Sequence, residues 1–116
     1  MTEENRREFF RLNFDIFIEG EIIESERTIP INIENISAGG IGFLADDLFS
    51  INDRVKCSFS ILDKSFLIDA IIIRKNATVK DLYEYGARFK INQDIASELF
   101  KQINFYEIRR KNRSRE

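Results

Sequence analysis

Two short segments hold residue types whose spacing suits the capture of a planar, anionic ligand. Arg6, Arg7 and Arg11 stand together ahead of the first apolar run. A guanidinium keeps its charge, presents several donors in one plane and meets phosphate bidentately or stacks on a base, so clustered arginines fit such a ligand. Mixed with Glu3, Glu4 and Glu8, the same arginines also read as a solvated entry segment. The second segment is Asn35-Ile36-Ser37-Ala38-Gly39-Gly40, with Gly42 two residues on. Asn, Ser and Gly are what a tight strand connection uses in any case. In extended backbone, however, Asn35 and Ser37 point to the same side, and glycines beside them let a ligand approach the main chain. Asn both donates and accepts and Ser does either, so the pair is equipped to read a purine edge or bind phosphate.

Other chemistries are excluded by composition. The 116 residues include no histidine and a single cysteine, Cys57. Histidine or cysteine metal sites, Ser–His or Cys–His nucleophilic pairs and disulfide frameworks are therefore unavailable. Carboxylates such as Asp46, Asp47 and Asp53 are present, but nothing pairs them as acid and base, and clustered loop acids are usually solvated. An enzyme is not expected. The formal charge is −2, yet residues 109–116 carry a local +4 from Arg109, Arg110, Lys111, Arg113 and Arg115 against Glu116, which leaves −6 on the rest. An acidic body does not attract nucleic-acid backbone. The short basic run lacks aromatic interleaving and suits the negative pole of a helix end. No apolar run approaches the ~18 residues of a membrane span, and MTEENRREFF has no signal-type apolar stretch, so a reduced cytoplasm is the expected compartment.

The elements that must position these residues are mostly strands. Leu12, Phe14, Ile16 and Ile18 alternate with Asn13, Asp15, Phe17 and Glu19, and Gly20 closes the run. Ile29, Ile31 and Ile33 alternate with Pro30, Asn32 and Glu34, where Pro30 predicts an edge or bulge. Val55, Cys57, Phe59 and Ile61 form a third alternating set, which predicts Cys57 to be buried as a small hydrophobe. Residues 66–74 are apolar on both sides apart from Asp69, which predicts a central strand covered on both faces. Asn76–Asp81 reads as a turn, and residues 82–90 alternate again. After Asn92 the period lengthens: Ile95, Leu99, Ile103 and Tyr106 share a helical face with Phe100 beside them, Asn92 is the predicted N-cap, and Asp94 suits the first turn. Six or so short strands and one helix predict a mainly β chain, an antiparallel barrel or sandwich ending in an α-helix.

In order and spacing, the two segments resemble the signature of the PilZ domain, a bacterial receptor for cyclic di-GMP. That family carries RxxxR before its barrel and [D/N]xSxxG on a following strand, matched here by Arg7 to Arg11 and Asn35 to Gly40, with 23 residues between Arg11 and Asn35. A late Gly-x-x-Phe, Gly86 to Phe89, and the terminal helix extend the resemblance over nearly the whole chain. It implies a six-stranded antiparallel PilZ-like β-barrel with a C-terminal helix. The implied organisation is an arginine segment at 1–11, a barrel at 12–91, a helix at 92–112 and a basic tail at 113–116, one PilZ domain spanning 6–108.

What the resemblance implies about the ligand agrees with the residues. Arg7 and Arg11 would bind phosphate and the Hoogsteen edge of guanine, where arginine donating to O6 and N7 is the commonest specific contact. Asn35 would take another guanine edge, Ser37 a phosphate or base, and Gly39 and Gly40 would give room. Arg6 would be an auxiliary contact that leans toward an intercalated pair of nucleotides. Asn35 in place of Asp lies within the family pattern but loses a charge-assisted acceptor. The expected protein is a non-enzymatic receptor and adaptor, without cofactor or metal, whose N-terminal segment closes on the barrel and changes a surface offered to an effector protein. It would act as a monomer or homodimer in motility or biofilm regulation. Two alternatives remain: a PilZ-like interaction module that binds no nucleotide, and a barrel that binds single-stranded nucleic acid through its basic tail.

Overall fold

The computed structural model describes residues 12–78 and 81–114, with side chains from Ile18 to Lys111. The arginines at 6, 7 and 11 therefore lie outside the described residues. Six antiparallel strands run β1 (Leu12–Glu24), β2 (Arg27–Ser37), β3 (Gly40–Ala45), β4 (Arg54–Ile61), β5 (Lys64–Ala77) and β6 (Tyr83–Lys90), followed by α1 (Gln93–Ser114). They close into a barrel in the order β1-β2-β3-β6-β5-β4. Closure comes from β1 pairing with β4 through Glu21↔Ser58, Ile22↔Cys57 and Ile23↔Lys56.

The period-two pattern explains the interior. Ile22, Ile31, Ile33, Phe43, Cys57, Phe59, Ile68, Ile72, Tyr85 and Phe89 point inward and are buried together. Cys57 is wholly enclosed, and burial pushes its thiol up to about 12, which makes it the inert hydrophobe its strand position predicts. The Tyr85 ring stacks on Phe43 at 5.3 Å. Its hydroxyl donates to the Asp47 carbonyl at 2.8 Å and accepts from the Phe49 amide at 3.0 Å, which pins the β3–β4 loop to the barrel. In α1, Asn92 Oδ1 accepts from the Ile95 amide at 2.9 Å, the expected N-cap. Leu99 and Ile103 enter the core, Tyr106 packs beside them, and Ile95 and Phe100 face solvent more than the helical face predicts.

Four local expectations are corrected or refined by closure. Gly20 does not end β1, which continues to Glu24; it faces inward, where a Cβ would meet Ile33 Cδ1 at 2.8 Å, so it is a mid-strand accommodation of a bulky neighbour. β5 is not covered on both faces: Leu67 and Ile73 are 58% and 50% exposed, because no second layer lies outside the barrel. The segment from Asn76 does not yet turn, since Asn76 and Ala77 still pair with Glu84 and Tyr83. Pro30 pairs with Glu21 of β1, whereas the β3 ladder begins only at Asn32, so β2 is locally an edge where the proline donor is missing.

Candidate functional site

Outside the barrel, one face is built by glycines at matching positions on adjacent strands. Asn35 of β2 pairs with Gly42 of β3, Gly42 with Gly86 of β6, and Gly86 with Arg74 of β5. One row along, Ser37 pairs with Gly40, Gly40 with Arg88, and Arg88 with Ile71. Each row spans four strands, about 14 Å at ~4.8 Å per strand spacing. None of the chain's glycines has a positive φ, so it is the missing Cβ, and not left-handed backbone, that selects glycine here. At Gly40 a Cβ would strike the Ala87 carbonyl, and at Gly42 it would meet the Asn35 amide nitrogen at 2.7 Å and oxygen at 2.9 Å. At Gly86 it would meet Cβ, Cζ and Nε of Arg74 at 3.3, 3.3 and 3.4 Å. The Asn35 amide and the Arg74 guanidinium thus lie along a glycine floor from its two sides.

Two bulges aim the rim. β2 carries an extra residue between Ile33 and Asn35, and β5 carries one between Ile72 and Arg74, so each bulge sits at one end of the same row. The β2 bulge brings Glu34 beside Asn35. The Glu34 carboxyl feels the charges of Glu84 on β6 and Arg74 on β5. Burial and then the Glu84 charge raise its pKa above the ordinary value, against the opposing pull of Arg74.

Of the residues singled out by sequence, Asn35 and Ser37 do point to one side, with Gly40 between Ser37 and Arg88. The Ser37 hydroxyl accepts from the Gly39 amide at 3.1 Å, which braces the β2–β3 turn and leaves its own O–H to donate outward. The Gly39 carbonyl accepts from the Phe89 amide at 2.9 Å, which ties that turn to β6. At the start of β1, Leu12 pairs with Ile36 and Asn13 with Asn35, so the chain enters the barrel beside this motif. Sequence reasoning left out Arg74, Arg88 and Glu34 as site residues and gave Gly42 and Gly86 no shared role. The signal was present in parity, since Gly40, Gly42, Gly86 and Arg88 all occupy outward positions of their strands.

A groove of about 630 Å³ lies next to this floor, lined by Glu19, Glu21, Asn32, Leu44, Asp46 and Ser58 among others. Its three acids, Glu19, Glu21 and Asp46, disfavour an anion. The floor sets Arg74 and Arg88 against Glu34 and Glu84 and has no side chain at three of its positions, so its charge is balanced where that of the groove is negative, and it is the better seat for a flat anionic ligand. Among the described residues no group of three or more carboxylates or thiols could hold a metal ion, and no helix is long and apolar enough to cross a membrane.

A closed six-stranded antiparallel barrel with a terminal helix and a face bearing Asn-x-Ser-x-x-Gly defines a small β-barrel module. The chain belongs to the PilZ domain family, whose model matches residues 5–105. Among curated proteins none matches the sequence. Solved structures with the same fold include the PilZ domain with c-di-GMP of YcgR from Escherichia coli, at 18% identity and TM-score 0.73, covering 96% of this chain and 98% of that one. The Bacillus subtilis inhibitor of motility MotI/DgrA is similar at 20% identity and TM-score 0.73, over 90% of this chain and 52% of that one. The MrkH–c-di-GMP complex of K. pneumonia is similar at 15% identity and TM-score 0.73, over 94% and 55%. The chain thus spans about half the length of the last two proteins.

Proposed function

We propose that this protein is a receptor for cyclic di-GMP, which it binds without transforming on the floor of Gly40, Gly42 and Gly86. The observation that carries the reading is the row Asn35–Gly42–Gly86–Arg74, a flat floor with a purine-reading amide at one end and a guanidinium at the other, in a family whose solved members include c-di-GMP complexes. Ser37 and Arg88 flank Gly40 with a hydroxyl and a cation for phosphate or base. Arg74, extended along Gly86, offers a planar face on which a base can stack.

Arg7 and Arg11 supply the remaining cations, with Arg6 as an auxiliary contact. Arg11 directly precedes Leu12 in the sequence, and Leu12 pairs with Ile36 of the motif strand. A ligand that touches both arginines and the floor draws the N-terminal segment onto the barrel and alters the surface offered to an effector protein. Such a switch works only because the ligand binds the closed state better. The site of action is the cytoplasm.

Titration calorimetry with cyclic di-GMP at tens of micromolar protein tests this, a concentration at which a signalling affinity gives measurable heat. Saturable binding is expected, abolished by Arg7→Ala or Arg11→Ala with little change in the melting temperature of the free protein. Absence of heat would favour an interaction module that binds no nucleotide. A large loss of free-protein stability in the arginine variants would make those residues structural.

A further inference from the structure

We infer that Glu34 is the residue that selects guanine on this floor, its carboxylate accepting the N1–H and 2-amino donors of a base laid over Gly42 and Gly86. The inference rests on the cyclic di-GMP reading and adds a residue outside the two motifs. A guanine presents two adjacent donors on its Watson–Crick edge, and the side chain that matches them has two acceptors and no donor, which is an ionised carboxylate. Asn35 is an amide and offers one acceptor beside an opposing donor. Its immediate neighbour supplies what it lacks.

Backbone geometry makes that substitution feasible. In a regular strand Glu34 and Asn35 would face opposite sides of the sheet. The bulge between Ile33 and Asn35 breaks this alternation. Glu34 lies within electrostatic reach of Glu84 on β6 and Arg74 on β5, across an outer face of β3 where Gly42 is opposite Asn35 and Leu44 is opposite Glu84. On β3 the path runs beside the Leu44 side chain and over Gly42, which has none. In the free protein its charged neighbour is Glu84. A guanine seated on the floor replaces that contact with two donors, while Arg74 remains at hand to offset the carboxylate charge.

A thermodynamic cycle between Glu34 and the 2-amino group provides the test. Wild-type protein and Glu34→Gln are titrated with cyclic di-GMP and with the cyclic dinucleotide carrying inosine in place of guanosine, which keeps O6, N7 and N1–H but lacks the 2-amino group. Wild type is expected to prefer the guanine ligand at least ~10-fold, the scale of a hydrogen bond to a charged acceptor. In Glu34→Gln that preference should collapse to within about twofold, with cyclic di-GMP affinity down at least ~10-fold. Because the preference is measured within each variant, a general loosening of the bulge does not mimic the result, and Glu34→Ala repeats the comparison. Retention of the full preference in both variants would overturn the inference, as would binding of cyclic di-GMP at or above wild-type affinity, which would leave Glu34 as a repulsive charge only. Failure of wild type to bind cyclic di-GMP would instead overturn the proposed function, and this inference with it.

Discussion

The two sides of the barrel are built from the same strand chemistry and differ in what their outer faces carry. On the β4–β5 side the ladder from Arg54↔Ile71 to Ile61↔Lys64 is unbroken, and the outer rows hold full-sized side chains, including a Lys56–Asp69 pair at 3.9 Å and a Ser60–Ser65 hydrogen bond at 3.0 Å. On the β2–β3–β6–β5 side the β2–β3 and β5–β6 ladders are each interrupted by a bulge, and three outward positions are glycine. Glycine inside a strand costs ~0.5–1 kcal/mol relative to alanine and contributes no packing. Three such positions converge on one face at no positive φ, and the side chains of Asn35 and Arg74 lie where two of the missing Cβ atoms would be.

The strongest way to break the comparison is to give the floor a side chain. Gly40→Ala places a Cβ against the backbone carbonyl of Ala87, which cannot rotate away. A loss of about 3 kcal/mol is expected in denaturant unfolding, at the upper end of overpacking costs. Gly42→Ala should behave differently, because the atoms nearest its Cβ all belong to the Asn35 side chain, which can turn aside. Its stability should change by less than ~1 kcal/mol. Its nucleotide affinity should fall at least ~10-fold, since the displaced amide loses its ligand hydrogen bond. Equal stability losses in the two variants would mean that both glycines serve the barrel and neither the ligand.

That contrast also marks what the sequence could convey. Strand number, the inward residues, the Asn92 cap and the buried state of Cys57 follow from alternation and local chemistry, which act over neighbours in the chain. The adjacency of Gly42 and Gly86 does not, because it depends on register between strands about forty residues apart. The same limit hid Arg74: residues 66–74 are apolar enough to suggest a doubly covered strand, and only closure of the barrel turns Leu67, Ile73 and Arg74 outward. Glu34 was concealed by its own strand, whose alternation assigns it a solvated position until the bulge is known. Asn35, Ser37 and Gly40 were legible because their motif is contiguous. Arg6, Arg7 and Arg11 were equally legible and lie outside the described residues.

A smaller effect separates the floor from the rest through acid. The Glu34 carboxyl is raised above its ordinary 4.5, first by burial and then by Glu84, so the folded state holds this proton more tightly than the unfolded chain does. Its favourable contribution is complete below about 4.5 and is lost as pH rises through the folded-state value. At neutral pH the ionised carboxylate is therefore a liability to stability. Glu34→Gln should raise the unfolding free energy at pH 7 by ~0.5 kcal/mol, the scale of like charges facing each other across a sheet. That gain should vanish near pH 4. Thermal melts of both proteins across this range provide the measurement. A constant difference at every pH would assign the effect to packing and not to charge.

The smallest expected effect belongs to the opposite side. Lys56 and Asp69 are each more than half exposed, and at 3.9 Å their pair is at the long limit of an ion pair. Such pairs contribute ~0–1 kcal/mol, since solvent screens the attraction while two flexible side chains lose rotamer freedom. Lys56→Ala should shift stability by less than ~0.5 kcal/mol and leave nucleotide affinity unchanged, because β4 is not one of the four strands β2, β3, β6 and β5 that build the floor. A tenfold loss of affinity in this variant would mean that the ligand is held by the long-range field of the whole barrel, with no privileged face. Unchanged binding, beside the loss expected in Gly42→Ala, confines recognition to the strands where the chain has given up its side chains.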